Sequence, residues 1–525
     1  MNDRRVIFLF LPFILGVSFL FLKGLGDFDS FGQMLWAEDG KIFLMQASEF
    51  GWQSIFKPHA GYMHLYPRLI SYVASFFNFE LRPLISSLGW FFSYFFMVYS
   101  IVFFMMLRGV KAPLIYLAIF LVTVQPNDNE VFFNITNSQW MLGASLFLLV
   151  FSNFKPRHGL IVFFLVFSLS LTGPFSIICM LPLIIFCFLE KNWFRVKCAL
   201  VPIVLGALVQ CFFLLSSGRG ADKTINTDPG QWLLAFSRIN FFGDISFPMV
   251  VVVSFFWFCF LFFVVKRRYY RRVDSSIFLV FCGVLMVVAS LWSSKDFPTQ
   301  ISPVGTGSRY SWIPYALYFI AAISVVNTGI LGRAFMVCML TICFSGFKKV
   351  ERYNLNFSDY ANMSKVTNTI IPINPVWGKY PGWYIADSVR EDEDHKSISL
   401  DIDLKDMAAH NIEVVRGGEF NSLSNDPFMM FGRSISCHDY ESVGVELKVY
   451  RDQAGWSQLF WKTDKAEFTE SNSLRRWYPK GYSLQQYAFN NNGGHFNLRF
   501  DPMEHKGHGA IESASVICVG SLLSN

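Results

Sequence analysis

Charge is what this chain has least of. Asp, Glu, Lys and Arg make up 16% of its 525 residues, against about 25% in an ordinary soluble domain. That scarcity excludes a disordered chain and a simple cytosolic enzyme, whose interior could not hold so much apolar surface. Cysteine is absent from where a disulfide scaffold would need it. Eight of the ten cysteines lie between Cys179 and Cys343, in or beside apolar runs, where they act as small apolar residues. Only Cys437 and Cys518 lie in the polar tail; an exported location permits them to pair, and their spacing alone leaves it open. No CxxC, HExxH or similar metal spacing occurs. No cofactor is called for, and a divalent metal is not indicated. What the chain does have is apolar residues, at 53%, including 60 Phe. The composition is that of a polytopic membrane protein.

The scarce charges are unevenly spread. Residues 1–346 hold 25 Lys/Arg and 15 Asp/Glu, about 12% of that stretch; residues 347–525 hold 19 and 23, about 23%. The first density suits a bilayer-embedded domain and the second a water-soluble one. The net charge of +6 thus divides into +10 and −4. The basic excess is one of loop positioning and carries no signature of nucleic-acid binding. Three parts follow: a membrane domain over 1–346, a connector over 347–397 and a soluble domain over 398–525.

A helix needs about 20 apolar residues to cross the hydrocarbon core. Candidate spans are 6–24, 84–107, 112–124, 138–152, 160–172, 174–189, 198–216, 247–265, 276–292, 311–326 and 334–346, several of them short. Basic residues collect on the cytoplasmic side of a membrane. Arg4/Arg5, Arg108/Lys111, Lys155/Arg157, Lys191/Arg195/Lys197, the run Lys266–Arg272 and Arg333 fall on alternate loops. Eleven crossings follow, with the N-terminus cytoplasmic and the C-terminal domain outside, in the periplasm of a bacterium. The first span reads as a retained anchor, since no small-residue cleavage site follows it.

The polar chemistry lies in the outward loops. The first carries Trp36-Ala-Glu38-Asp39-Gly40, two adjacent carboxylates in an aromatic setting. Burial and mutual repulsion would suit one of them to general-base work; a solvated loop is the plainer alternative. His59, Tyr62, His64 and Arg68 follow, donors and a cation able to hold an anion such as a lipid phosphate, with Tyr62 toward the substrate. The second outward loop offers Asn134, Asn137, Gln139 and Trp140, amides beside an indole as in a sugar site; alternatively Asn137 or Ser138 caps the next helix. Thr172-Gly173-Pro174 is either a plain turn or a broken helix lining a cavity. Gly305-Thr-Gly307-Ser-Arg309-Tyr310 opens a span, so Arg309 is a candidate phosphate seat and Tyr310 a substrate contact. Interfacial anchoring by Arg and Tyr is the alternative.

From about 398 the pattern turns to short β-like segments, at 398–404, 411–416, 443–449, 457–462, 485–489, 495–500 and 510–519. Their alternation and spacing predict an antiparallel sandwich. No nucleophile–base pattern stands out there, so a binding or packing module is expected.

A multi-span N-terminal half with an acidic pair in its first outward loop resembles the GT-C fold glycosyltransferases, in particular the serotype-converting O-antigen glucosyltransferases. The segments Ser424-Asn-Asp426-Pro427, Gln458-Leu-Phe460-Trp461 and Leu498-Arg499-Phe500-Asp501-Pro502 resemble a jelly-roll module of bacterial polysaccharide enzymes. The resemblance implies an inner-membrane enzyme that moves a sugar, glucose by expectation, from a polyprenyl-phosphate donor to a cell-surface polysaccharide or lipid-linked glycan. Asp39 or Glu38 would be the base, and Arg309, Arg68, His59 and His64 would hold the donor phosphate. The rival class is a transporter or flippase for a lipid-linked glycan. Transporters place charges at mid-membrane and show internal repeats; these spans are nearly free of ionisable residues and no repeat is visible.

Overall fold

The structure is a computed structural model. It describes residues 3–25, 31–127, 130–218, 224–243, 246–268, 274–326, 329–375, 382–387, 395–415, 418–432, 434–463, 466–491 and 494–521. Asp128, Asn129, Trp377, the acidic run Glu391–Asp394 and residues 269–272 of the basic run lie outside the described residues. The chain forms two compact units that do not follow chain order. A helical unit comprises Met1–Phe28, Gln46–Phe76 and Ile85–Glu351; a second unit comprises Asp29–Met45, Phe77–Leu84 and Arg352–Asn525.

In the helical unit, a helix lies over each of the eleven apolar stretches. Four of the described helices are long and apolar enough to cross a membrane: Phe79–Leu107, Trp193–Ser216, Phe247–Lys266 and Ser275–Ser293. Others are apolar but shorter, and local chemistry explains two of the stops. Ala112–Val124 runs into Gln125-Pro126, and Phe175–Glu190 ends on Lys191 in the left-handed conformation, at φ 53°. Helix length therefore supports a membrane protein with four candidate spans, and the count of eleven is not confirmed by it.

Two helices form the centre of this unit. Ser138–Val150 is buried at every residue, and Arg309–Val325 at every residue from Ser311 onward. A helix apolar on all sides suits a core position or a membrane span, and these two are enclosed by protein. Two loop cations read above as topology markers are clamps, Arg195 buried and Arg108 largely so. Arg108 donates to Asp274 at 2.5 Å, to Ser276 at 2.9 Å and to Ser275. Arg195 donates to the Val150 carbonyl at 3.1 Å and to Asn153 at 2.5 Å, and pairs with Glu190 at 2.9 Å.

The second unit is built on β-structure. Its strands are β1 (Thr369–Pro372), β2 (Tyr384–Asp387), β3 (His395–Asp401), β4 (Ala408–His410), β5 (Ile412–Val414), β6 (Glu419–Ser422), β7 (Phe428–Met430), β8 (Ile435–Ser436), β9 (Ser442–Arg451), β10 (Gly455–Lys462), β11 (Ser473–Tyr478), β12 (Gly481–Asn490), β13 (His495–Asp501) and β14 (Gly507–Ser521). Strands β1 and β2 make a hairpin. One sheet runs β11-β10-β13-β7-β4 with β8 on β13; the other runs β12-β9-β14-β6-β5 with β3 on β14. All the pairings are antiparallel.

Alternation decides what each face does. On β9, Val443, Val445, Leu447 and Val449 are fully buried. Trp461 of β10 stacks on Phe489 of β12 at 4.3 Å, and Ser457 Oγ donates to Gln485 Oε1 at 2.8 Å, so the two sheets pack face to face. The opposite face of the β9–β12 sheet is covered by the helix Phe357–Met363. Tyr360 donates there to the Gln486 carbonyl at 2.8 Å. Gly444 makes the approach feasible, because a Cβ there would stand 2.8 Å from Met363 Sδ. Cys437 and Cys518 form a disulfide with Cα atoms 5.5 Å apart.

Candidate functional site

The acidic pair belongs to the second unit. Leu35–Ala37 runs beside Ile373-Asn374, with Asn374 N–H donating to Leu35 O at 3.0 Å and Ala37 N–H to Asn374 O at 2.5 Å. The chain then turns sharply. Asp39 N–H donates to Trp36 O at 2.6 Å, and Trp36 N–H reaches back toward Asp39 Oδ2 at 3.4 Å. Two features mark this turn as strained. Ala37 sits at φ 22°, where a Cβ is costly, and Asp39 opens a π-helical turn, Asp39–Leu44. Such distortions persist where surrounding packing over-determines them, and they concentrate at functional sites.

The packing that holds the turn is visible. Gly40 lies between Ile373 and Ile385, and a Cβ there would be 2.8 Å from a methyl of each. The Arg352 guanidinium lies 4.1 Å over the Trp36 ring, and Lys41 lies 4.6 Å from the Tyr384 ring. Asp39 ends up 1% exposed while Glu38 is half-buried. A buried carboxylate on a packed turn is thereby held in place. Of the two acids, Asp39 is the buried one.

The remaining candidates belong to the helical unit. His59-Ala60-Gly61-Tyr62 is a two-residue hairpin turn, with Ala60 at φ 51° and Gly61 at φ 84°, the primed-turn pattern. It brings the Tyr62 and His64 rings to 4.5 Å and the His59 and His64 rings to 5.7 Å. His64 is buried, with Nε2 3.1 Å from the His59 carbonyl. Arg68, on the helix Leu65–Ala74, is 1% exposed and donates to Gln46 Oε1 at 2.6 Å. Burial pushes its guanidinium down to about 10, so its charge is held where it is costly.

Thr172-Gly173-Pro174 is a turn, and it joins these residues to the second group. Gly173 N–H donates to Met63 O at 3.0 Å and Leu65 N–H to Leu171 O at 3.1 Å. Gln210 Oε1 accepts from Met63 N–H at 2.9 Å, while its amide donates to Met63 O at 3.2 Å. A Cβ on Gly173 would stand 2.9 Å from Gln139 Oε1, so Gln139 borders the same turn.

Beyond it, Trp140 packs edge-on against Phe175 at 5.4 Å and Tyr310 at 5.6 Å. Asn134 and Asn137 are engaged internally. Asn134 donates to the Glu130 and Phe132 carbonyls at 2.8 and 2.9 Å, and its oxygen accepts from Asn137 N–H at 2.9 Å. Asn137 donates to the Glu130 carbonyl at 2.8 Å and accepts from Trp140 Nε1 at 3.0 Å. It occupies the cap position of Ser138–Val150 without a side-chain capping bond. Arg309 is ion-paired to Glu130 and lies 5.2 Å over the Tyr310 ring.

Three participants escaped the sequence reading: Glu130, Gln210 and Arg352. Gln210 did carry a signal, as a lone amide inside an apolar run. Arg352 and Glu130 acquire meaning only through partners distant in sequence.

No protein-family profile matches this chain, and no curated protein does. Among solved structures, the C-terminal all-β domain is similar to two carbohydrate-binding modules. One is the C-terminal CBM6 of LamC, a laminarinase of Zobellia galactanivorans, at 11% identity and TM-score 0.19, covering 23% of this chain and 99% of that module. The other is a CBM6 of Cellvibrio mixtus lichenase 5A, solved with cellotriose, at 12% identity and TM-score 0.18, covering 23% and 96%. The enzymatically active domain of bacteriophage CBA120 tailspike protein 4 matches at 9% identity and TM-score 0.15, covering 24% of this chain and 19% of that one.

Proposed function

We propose that this chain is an inner-membrane glycosyltransferase that moves a sugar, glucose by expectation, from a polyprenyl-phosphate donor to a cell-surface polysaccharide such as O-antigen. The observation that carries the reading is Asp39, a buried carboxylate on a π-helical turn entered through the strained Ala37. Asp39 takes the proton of an acceptor sugar hydroxyl as its oxygen attacks the anomeric carbon. The bond from that carbon to the lipid phosphate breaks, its electron pair leaves with the phosphate, and configuration inverts. The leaving group is already a stable anion, so no general acid is required. The candidates for the donor phosphate, all in the helical unit, are Arg68, His59, His64 and Arg309, the last of them ion-paired to Glu130. The C-terminal domain is periplasmic in this scheme, a jelly-roll-like module on the acceptor side.

The test is linkage analysis of envelope polysaccharide from cells carrying wild type, Asp39→Asn or Glu38→Gln, with membrane levels matched by immunoblot. Asp39→Asn is expected to lose the added branch, a base of this kind supplying about 10²–10⁴-fold, while Glu38→Gln retains it. Full branching with Asp39→Asn at normal abundance would sink the assignment. An unchanged polymer with altered lipid carriers on loss of the gene would point to transport instead.

A further inference from the structure

Strands β10, β11 and β13 place a second constellation on the outer face of their sheet, away from the β9–β12 sheet. Residues directly opposite one another share a face, so the pairings Trp456↔Trp477, Gln458↔Arg475, Gln458↔Asp501 and Phe460↔Arg499 set one continuous surface. A groove of about 360 Å³ lies on it, within the size range of small-molecule sites.

Its floor is rigid. Arg499 donates to both oxygens of Asp501, at 2.8 and 2.7 Å, with its guanidinium 4.1 Å from the Phe428 ring and 4.9 Å from the Phe460 ring. Trp456 forms a wall, with Arg475 held 5.1 Å over its ring. Gln458 Nε2 donates to Glu470 Oε2 at 2.7 Å. Four carboxylates line the groove (Asp426, Glu470, Asp501 and Glu504) against two arginines. Both arginines are already matched, Arg499 by Asp501 and Arg475 by Glu504.

We propose that this groove binds an uncharged saccharide chain. Carboxylate oxygens, guanidinium edges and an amide alternate along it, and a sugar hydroxyl both donates and accepts, so it can satisfy each in turn. The indole and phenyl rings supply the apolar surface that a pyranose ring face covers. The excess of carboxylates repels phosphate, sulfate or uronate groups. The site is independent of the transfer reaction proposed above.

The experiment titrates the full chain in lipid nanodiscs with six-residue oligosaccharides, read by calorimetry. Maltohexaose, laminarihexaose, cellohexaose and mannohexaose are the neutral probes; hexagalacturonate and the chitosan hexamer are the charged ones. Saturable binding of a neutral probe is expected, weakened about tenfold or more by Trp456→Ala and Gln458→Ala. Tyr482→Ala, at an exposed position on the other sheet, is expected to leave it unchanged, and so is Asp39→Asn, which separates this inference from the transferase reading. Matching thermal unfolding of the variants establishes that the fold is intact. Failure of every neutral probe, tighter binding of hexagalacturonate or the chitosan hexamer, or wild-type affinity in both groove variants overturns the proposal.

Discussion

Asp359 offers a quantitative test of the packing in the second unit. It lies on the helix Phe357–Met363, buried against β9, and its Oδ1 accepts from Ser442 Oγ at 2.8 Å; Asn362 donates to the same hydroxyl at 3.0 Å. Burial pushes its carboxyl from 3.8 up to about 6, and the Ser442 bond only partly offsets this. Between those values the folded state keeps a proton that the unfolded chain has released, so stability falls as pH rises through that window. Below the lower value both states are protonated and nothing is lost. Above the upper value the loss is complete, at about 3 kcal/mol from about 1.4 kcal/mol per pH unit. Asp359→Asn keeps the acceptor oxygen and removes the charge. It is therefore expected to stabilise the unit by about 2–3 kcal/mol at pH 7.5 and by nearly nothing below pH 4. Hydrogen exchange of β9 and β12 peptides in the full chain reads this as protection rising by about 10²-fold at pH 7.5. Protection unchanged at pH 7.5, or a gain that persists at pH 4, would refute the desolvation argument.

Two further outcomes are expected. Replacing Cys437 and Cys518 by serine releases a closure of 81 residues, which loop entropy values at about 4.5 kcal/mol; a shift under about 1 kcal/mol in the non-reducing urea transition of the second unit would show that the unfolded chain is constrained otherwise. Arg68→Gln should raise the KM for a lipid-phosphate sugar about tenfold or more, with Arg68→Lys recovering part of it. An unchanged KM, with the helix Leu65–Ala74 still protected from exchange, would remove Arg68 from phosphate holding.

How far the sequence could be read depended on whether a residue's meaning was local. Composition separated helical from β-structure because burial on all sides needs apolar residues everywhere, as in Ser138–Val150. The seven β-like segments overlap β3, β5, β9, β10, β12, β13 and β14, and in β9, β10, β12 and β13 buried positions recur along one face. β11 escaped. Arg475-Arg476 reads as polar on both faces, yet Arg475 pairs with Glu504 in the groove while Arg476 reaches Tyr360 Oη at 3.4 Å. Only the registered partners tell the two apart. The crossing count is left unconfirmed for a related reason: an apolar run announces burial, but not whether lipid or protein covers it.

The acidic pair shows the same limit at the level of chemistry. Two adjacent carboxylates in a loop can be a base or a solvated surface, and nothing in Glu38-Asp39 chooses. What sets the two apart in burial comes from residues more than 300 positions later. Asn374 pairs with the backbone on either side of Trp36, Ile373 and Ile385 flank Gly40, and Arg352 lies over the Trp36 ring. These contacts bury one acid and leave its neighbour half-buried. They also make a prediction that local chemistry would not. Gly40→Ala leaves both carboxylates in place but drives a methyl into Ile373 and Ile385. If Asp39 works through its fixed position, this change is expected to lower transfer about as Asp39→Asn does, because small misplacements of a catalytic group are costly. The hairpin β1–β2 should lose exchange protection together with activity. Full transfer by Gly40→Ala, at normal abundance, would mean that the strained turn is not what equips Asp39.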